Sequence, residues 1–201
     1  MKLDEVRAKV LSVKIIPNVN YELAKELGLN QYEKSLGLIT TTIDDVGYTA
    51  IDEATKKADV RVIYAKSMYA GYKNASTKLA GEFIAMLAGT NPEDVKAGLN
   101  AAIDFVDYDG CFYSANDDDS ICFFAHTISR SGSYLSAMAN VMIGDPIAYL
   151  IAPPLEALYG LDAALKVADV SLKTFYGPPT HTNFAGALLT GTQSACAASC
   201  D

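Results

Sequence analysis

The sequence predicts an α+β fold, with short crossovers that also admit α/β, made of two tandem copies of one domain. Two observations lead to this. Residues Asp52–Val60 read DEATKKADV and residues Asp162–Val170 read DAALKVADV, identical at six of nine positions at an offset of 110. The flanks repeat as well, LGLITTTIDDVGYTA against AYLIAPPLEALYG before the match and AGEFIAMLAGTN against AGALLTGTQ after it. One order of parts, met twice, means duplication of a unit of about 100 residues. The expected domains are residues 1–110 and 111–201.

Taken in order, Leu11, Val13 and Ile15 alternate with polar residues as in a half-buried strand. Asn20 precedes YELAKELGL, a short helix closed by Gly28. Leu36–Thr40 is a strand. Asp44 and Asp45 precede the stripe Val46, Ala50, Ala54 and Ala58, so either can cap that helix and both suit its positive end. Val60, Val62 and Tyr64 give the next strand, and Ser67–Thr77 breaks every pattern, as a loop does. LAGEFIAML is expected to be a helix stopped by Gly89. Asn91 with Pro92, Glu93 and Asp94 opens a helix running to about Phe105. CFYSA and ICFFAH flank an acidic turn, which makes a hairpin.

The second copy repeats the series. Ile147–Ala152 is a strand, and Pro153 and Pro154 open a helix. Val170, Leu172 and Thr174 begin a strand, and Phe175–Asn183 is the loop equivalent to Ser67–Thr77. AGALLTG is expected to be a short helix. SACAASCD begins a last helix, expected to be incomplete beside its longer counterpart in the first copy.

The composition narrows function. The chain has 201 residues, 50% hydrophobic and 20% charged, with net charge −8. No basic patch suits nucleic acid. No run approaches the ~18 apolar residues of a membrane span, and MKLDEVRAKV is too charged for a secretory signal, so a cytosolic protein is expected. Cys111, Cys122, Cys196 and Cys200 read as reduced, packed thiols. Cys196 and Cys200 stand at i, i+4, but CxxC spacing is absent and a metal site is not expected. The acid run Asn116–Ser120 lacks the glycine and distal glutamate of a calcium loop. Arg130-Ser131-Gly132-Ser133 could cradle phosphate, although Ser133 fits a helix cap better. There is no GxGxxG, Walker loop, GxSxG or HExxH, and only two histidines, so an enzyme is not expected.

Two constellations remain. The equivalent loops carry Ser67, Tyr69, Gly71, Tyr72, Gly177, Pro178, Pro179 and His181. In a ring such loops would converge on one axis, where glycines permit motion and aromatics can plug a hole; they are also compatible with ordinary surface connections. Asp44, Asp45 and Glu82, with an aromatic such as Phe112, could hold a small ammonium ion, while helix capping and dipole complementation explain the same aspartates on spacing alone.

SLGLI, DEATKKADV, KSMYAG, NPEDVKAGL, SRSGSYLS, GDPIAYLIAPPLEA and DAALKVADV, in this order along almost the whole chain, strongly resemble the tandem-domain shell proteins of ethanolamine-utilisation bacterial microcompartments. The resemblance implies two permuted microcompartment domains and a homotrimer shaped as a pseudohexamer. Such trimers tile with other shell proteins in a flat sheet. It further implies a central pore with open and closed states, lined by the two loops above, and small pores that bind ethanolamine. The ethanolamine contacts fall on Asp44, Asp45, Glu82, Phe112, Thr182, Asn183 and Phe184. Cobalamin is a possible cargo of the wide pore. The alternative is a cytosolic trimeric regulator that senses a small molecule and binds a partner protein.

Overall fold

The computed structural model describes residues 4–68, 81–178 and 180–201. Chain order is β1 (Asp4–Arg7), β2 (Val10–Ile16), α1 (Tyr21–Glu26), β3 (Ser35–Thr41), α2 (Asp44–Lys57), β4 (Val60–Met68), β5 (Glu82–Gly89) and α3 (Pro92–Asp104). A π-helical turn, Phe105–Asp109, continues α3. Then come β6 (Cys111–Ser114), β7 (Cys122–Ile128), α4 (Ser133–Ala139), β8 (Ile147–Ala152), α5 (Pro154–Val167), β9 (Val170–Tyr176), β10 (Ala185–Gly191) and α6 (Gln193–Cys200).

The chain forms two compact units. The first is Ala8–Gly110 together with Gly132–Tyr134; the second holds β1, Cys111–Ser131 and Leu135–Asp201. The first unit's sheet has the order β2-β3-β5-β4 and the second unit's has β1-β6-β7-β8-β10-β9. All these pairs are antiparallel. Four consecutive strands of the second sheet, β7-β8-β10-β9, thus reproduce β2-β3-β5-β4, and the duplication seen in the sequence is a duplication of topology.

In each unit two helices cover one face of the sheet. A Cβ on Gly47 of α2 would meet Phe83, and one on Gly98 of α3 would lie against Val60 and Leu87. Phe83 and Leu87 are four apart on β5, so they share a face. In the second unit Leu161 and Ala164 of α5 and Cys196 of α6 pack with Ala187 and Leu189 of β10 and Ala148 of β8.

Four expectations are corrected. LAGEFIAML is not a helix: Glu82–Gly89 is β5, a central strand between β3 and β4. AGALLTG is likewise β10, between β8 and β9. Their Ala, Leu, Met and Glu favour helix, but Phe83, Ala85 and Leu87 are buried in alternation, and pairing on both edges outweighs a propensity of a few tenths of a kcal/mol per residue. The aspartates do not cap α2; Ile43 is the N-cap residue, without a side-chain cap, and Asp44 and Asp45 fill the first turn. On β2 the alternation does not mark burial, since Leu11 and Ile15 are exposed.

Other starts and stops are as expected. The Asn20 side chain accepts from the Glu22 N–H, and Asn91 accepts from the N–H groups of Glu93 and Asp94, with Pro92 opening α3. Gly28 follows α1 at φ +68, a conformation in which glycine carries no Cβ penalty.

Candidate functional site: an acidic helix start beside a strand end

In the first unit Asp44 and Asp45 are 3% and 6% exposed, in the first turn of α2. The helix dipole favours negative charge there. Two adjacent buried carboxylates also repel each other, so the place favours a cation. Tyr48, one turn further along α2, is the half-buried residue of an otherwise buried stretch, Thr41–Ala50 apart from Tyr48 itself. Its hydroxyl lies 3.0 Å from the Ser67 hydroxyl at the end of β4. Its ring meets Phe83 edge-on, with centroids 4.7 Å apart. Burial pushes the Tyr48 phenol up; the bond with Ser67 opposes this, and the Asp44 and Asp45 carboxylates add to the rise. The phenol therefore stays protonated and can donate.

Glu82 opens β5. It pairs in register with Met68, as its neighbour Phe83 pairs with Ser67. Strand pairing thus brings Glu82 to the strand end that Tyr48 touches. Glu82 is partly exposed.

The second unit holds the remaining expected contacts. Phe112 on β6 is 0% exposed, its ring stacked on Phe124 (5.4 Å) and edge-on to Phe184 (6.0 Å). Its ring therefore has no open face for an ammonium ion. Thr182 and Phe184 are buried, and Asn183 between them is exposed at φ +65, which asparagine tolerates better than most residues. The turn is tied by Thr180 N–H to Phe184 C=O at 2.8 Å and Asn183 N–H to Thr180 C=O at 3.1 Å.

Of the loop residues, Ser67 belongs to β4, and Gly177, Pro178 and His181 are exposed after β9. Tyr69, Gly71, Tyr72 and Pro179 lie outside the described residues. Phe175 and Tyr176, expected in the loop, belong to β9.

Two other features settle as structure. The N–H groups of Gly132 and Ser133 are taken by Asp52 (2.7 Å) and Thr55 (3.0 Å), so Arg130–Ser133 is not a phosphate cradle. Burial pushes the Cys122, Cys196 and Cys200 thiols up. Among the described residues no group of three or more His, Cys, Asp or Glu could hold a metal ion, and no helix is long and apolar enough to cross a membrane. A largely apolar cavity of about 470 Å³ lies in the second unit, lined by Phe124, Leu150, Leu161, Ala164 and Cys200 among others.

A family model for the BMC domain matches residues 35–116, from β3 past the end of β6. The bacterial microcompartment shell protein EutL of Clostridium perfringens is 63% identical over 201 residues, covering 100% of this chain and 93% of that protein. This chain belongs to the EutL family of bacterial microcompartment shell proteins. EutL of Escherichia coli is 50% identical over 199 residues, with 99% and 91% covered. The crystal structure of ethanolamine utilization protein EutL from Leptotrichia buccalis superposes with a TM-score of 0.94 at 60% identity, covering 100% of this chain and 93% of that one. The role of EutL relatives as shell proteins is structural and not enzymatic.

Sequence reasoning missed Tyr48. Its signal was present: it stands four residues after Asp44, on the same helix face.

Proposed function

We propose that this shell protein closes as a trimer into a pseudohexameric plate, tiles with other shell proteins, and gates small molecules through a central pore. In this reading the acidic first turn of α2 anchors ethanolamine. The observation that carries the ligand reading is the pair of nearly buried carboxylates, Asp44 and Asp45, at one helix start. An ammonium group offers three donors and a full positive charge, which such a pair binds by charge-assisted hydrogen bonds. Glu82 and the Tyr48 hydroxyl supply further polar partners at the adjoining strand end. The family resemblance also assigns Phe112, Thr182, Asn183 and Phe184 to ethanolamine, and these lie in the second unit.

Ethanolamine can bias the pore only if it prefers one state of the pore loops. Cobalamin as cargo of the open pore is supported by the resemblance alone.

Calorimetry with ethanolamine tests the ligand reading. Asp45→Ala removes one of the two buried charges, and we expect affinity to fall at least tenfold, about 1.4 kcal/mol or more. Unchanged affinity would remove Asp45 from the site. Flat arrays of purified protein under the electron microscope test the shell reading; persistent failure of trimers to tile would contradict it.

A further inference from the structure

Four hydroxyls crowd the start of α2: Thr41, Thr42, Tyr48 and Thr49. Thr41 donates to the Ile43 carbonyl at 3.5 Å and Thr49 to the Asp45 carbonyl at 3.0 Å. Thr42 accepts the Lys9 N–H at 2.9 Å. These three are tied to nearby backbone. The Tyr48 hydroxyl instead reaches across to the Ser67 hydroxyl at 3.0 Å, where either oxygen can be the donor. A hydroxyl has one proton and two lone pairs, so Tyr48 can accept from Ser67 and give its own proton elsewhere.

The ring that carries this hydroxyl is held by two others. Phe83, 0% exposed, meets it edge-on at 4.7 Å. Tyr134 lies parallel to it at 6.1 Å. Tyr134 is fixed in turn by its own backbone: the Gly132 N–H donates to Asp52 at 2.7 Å and the Ser133 N–H to Thr55 at 3.0 Å. A Cβ on Gly132 would stand 2.3 Å from the Thr55 hydroxyl oxygen and 2.5 Å from the Asp52 carbonyl oxygen, so this approach needs glycine. A ring packed against two others keeps few rotamers, and its hydroxyl is in place before a ligand arrives.

The direction of the side chain completes the placement. Long side chains on a helix lean back over the turn before them. Tyr48 therefore leans toward the first turn of α2, where Asp44 and Asp45 lie. Burial raises the phenol, the bond with Ser67 opposes this, and the two carboxylates add to the rise, so the phenol keeps its proton. Glu82 pairs with Met68, next to the Phe83 and Ser67 pair, at the same strand end.

We infer that the Tyr48 hydroxyl hydrogen-bonds the hydroxyl of a ligand whose ammonium group is held by Asp44 and Asp45, and so selects small amino alcohols over simple alkylamines. This selectivity rests on the ligand reading under Proposed function and adds the group that reads the ligand's other end. Carboxylates respond to positive charge and N–H donors, which every primary ammonium offers alike. They do not distinguish ethanolamine from ethylamine, which has the same ammonium and lacks only the hydroxyl. A positioned phenol does. With ethylamine Tyr48 keeps only Ser67; with ethanolamine it gains a further bond, which amounts to roughly tenfold in affinity.

Calorimetric titration of the full chain with ethanolamine and with ethylamine, both ammonium ions at neutral pH, tests this selection. The wild type should bind ethanolamine roughly tenfold more tightly than ethylamine. Tyr48→Phe keeps the ring; it should bring ethanolamine down to the level of ethylamine and leave ethylamine unchanged. Asp45→Ala should weaken both amines together. Equal loss of both amines in Tyr48→Phe, or a preference for ethanolamine that survives it, would overturn the role of Tyr48 and leave the carboxylate site intact. Full affinity for both amines in Asp45→Ala, or a wild type that binds neither, would overturn the carboxylate site and the role of Tyr48 with it.

Discussion

Tyr48 shows how one side chain ties a helix start to a strand end. It shares a helix face with Asp44, packs on Phe83 and meets the Ser67 hydroxyl. Tyr48→Phe keeps the ring and deletes the hydroxyl. It should cost ~1 kcal/mol in chemical denaturation, the net worth of a hydrogen bond, and an unchanged midpoint would mean that the bond contributes nothing. Arg61 and Glu33 make a second local prediction. The Arg61 guanidinium donates two hydrogen bonds of 2.7 Å to Glu33 and one of 3.0 Å to the Gly28 carbonyl. The two bonds to Glu33, against the opposing effect of burial and with help from the Asn30 N–H and the Arg61 charge, hold the Glu33 carboxyl below its usual range. The stability it contributes is complete above its unfolded value, about pH 4.3. It is lost as pH falls through the lower folded value. The stability gap between wild type and Glu33→Gln should therefore close on acidification below about pH 4; a gap constant with pH would contradict the pairing. Neither partner was legible in the sequence, since 28 residues separate them and only strand pairing sets their approach.

At the level of elements, helix starts were readable because their signals are local. Asn20 and Asn91 act through the N–H groups two or three residues on, and Pro92 restricts its own backbone. The two central strands were not readable. Helix-forming residues fill Glu82–Gly89, and what makes it a strand is its pairing to Ser35–Thr41 and to Val60–Met68. Close approach of α3 to this sheet gives an element-scale test. A Cβ on Gly37 of β3 would stand 2.7 Å from Val95 and 2.9 Å from Leu99. Gly37→Val should thus force the helix off the strand and cost roughly 1–3 kcal/mol, read as a lowered Tm. A neutral result would mean that α3 shifts without cost.

For the whole molecule, the repeat fixes more than ancestry. DEATKKADV and DAALKVADV keep an aspartate and a lysine four apart in both copies, yet the first aspartate is buried on a backbone N–H and the second faces solvent. The sequence by itself determined the duplication, the α+β class, the family likeness and the acidic start of α2, all of which are written in residue type and short spacing. Only the tertiary structure decided that β5 and β10 are strands, that Phe112 is a core ring, and that Tyr48 stands beside the carboxylates. Those outcomes depend on pairing and packing between distant segments, whose combined free energy exceeds any local preference of the residues involved.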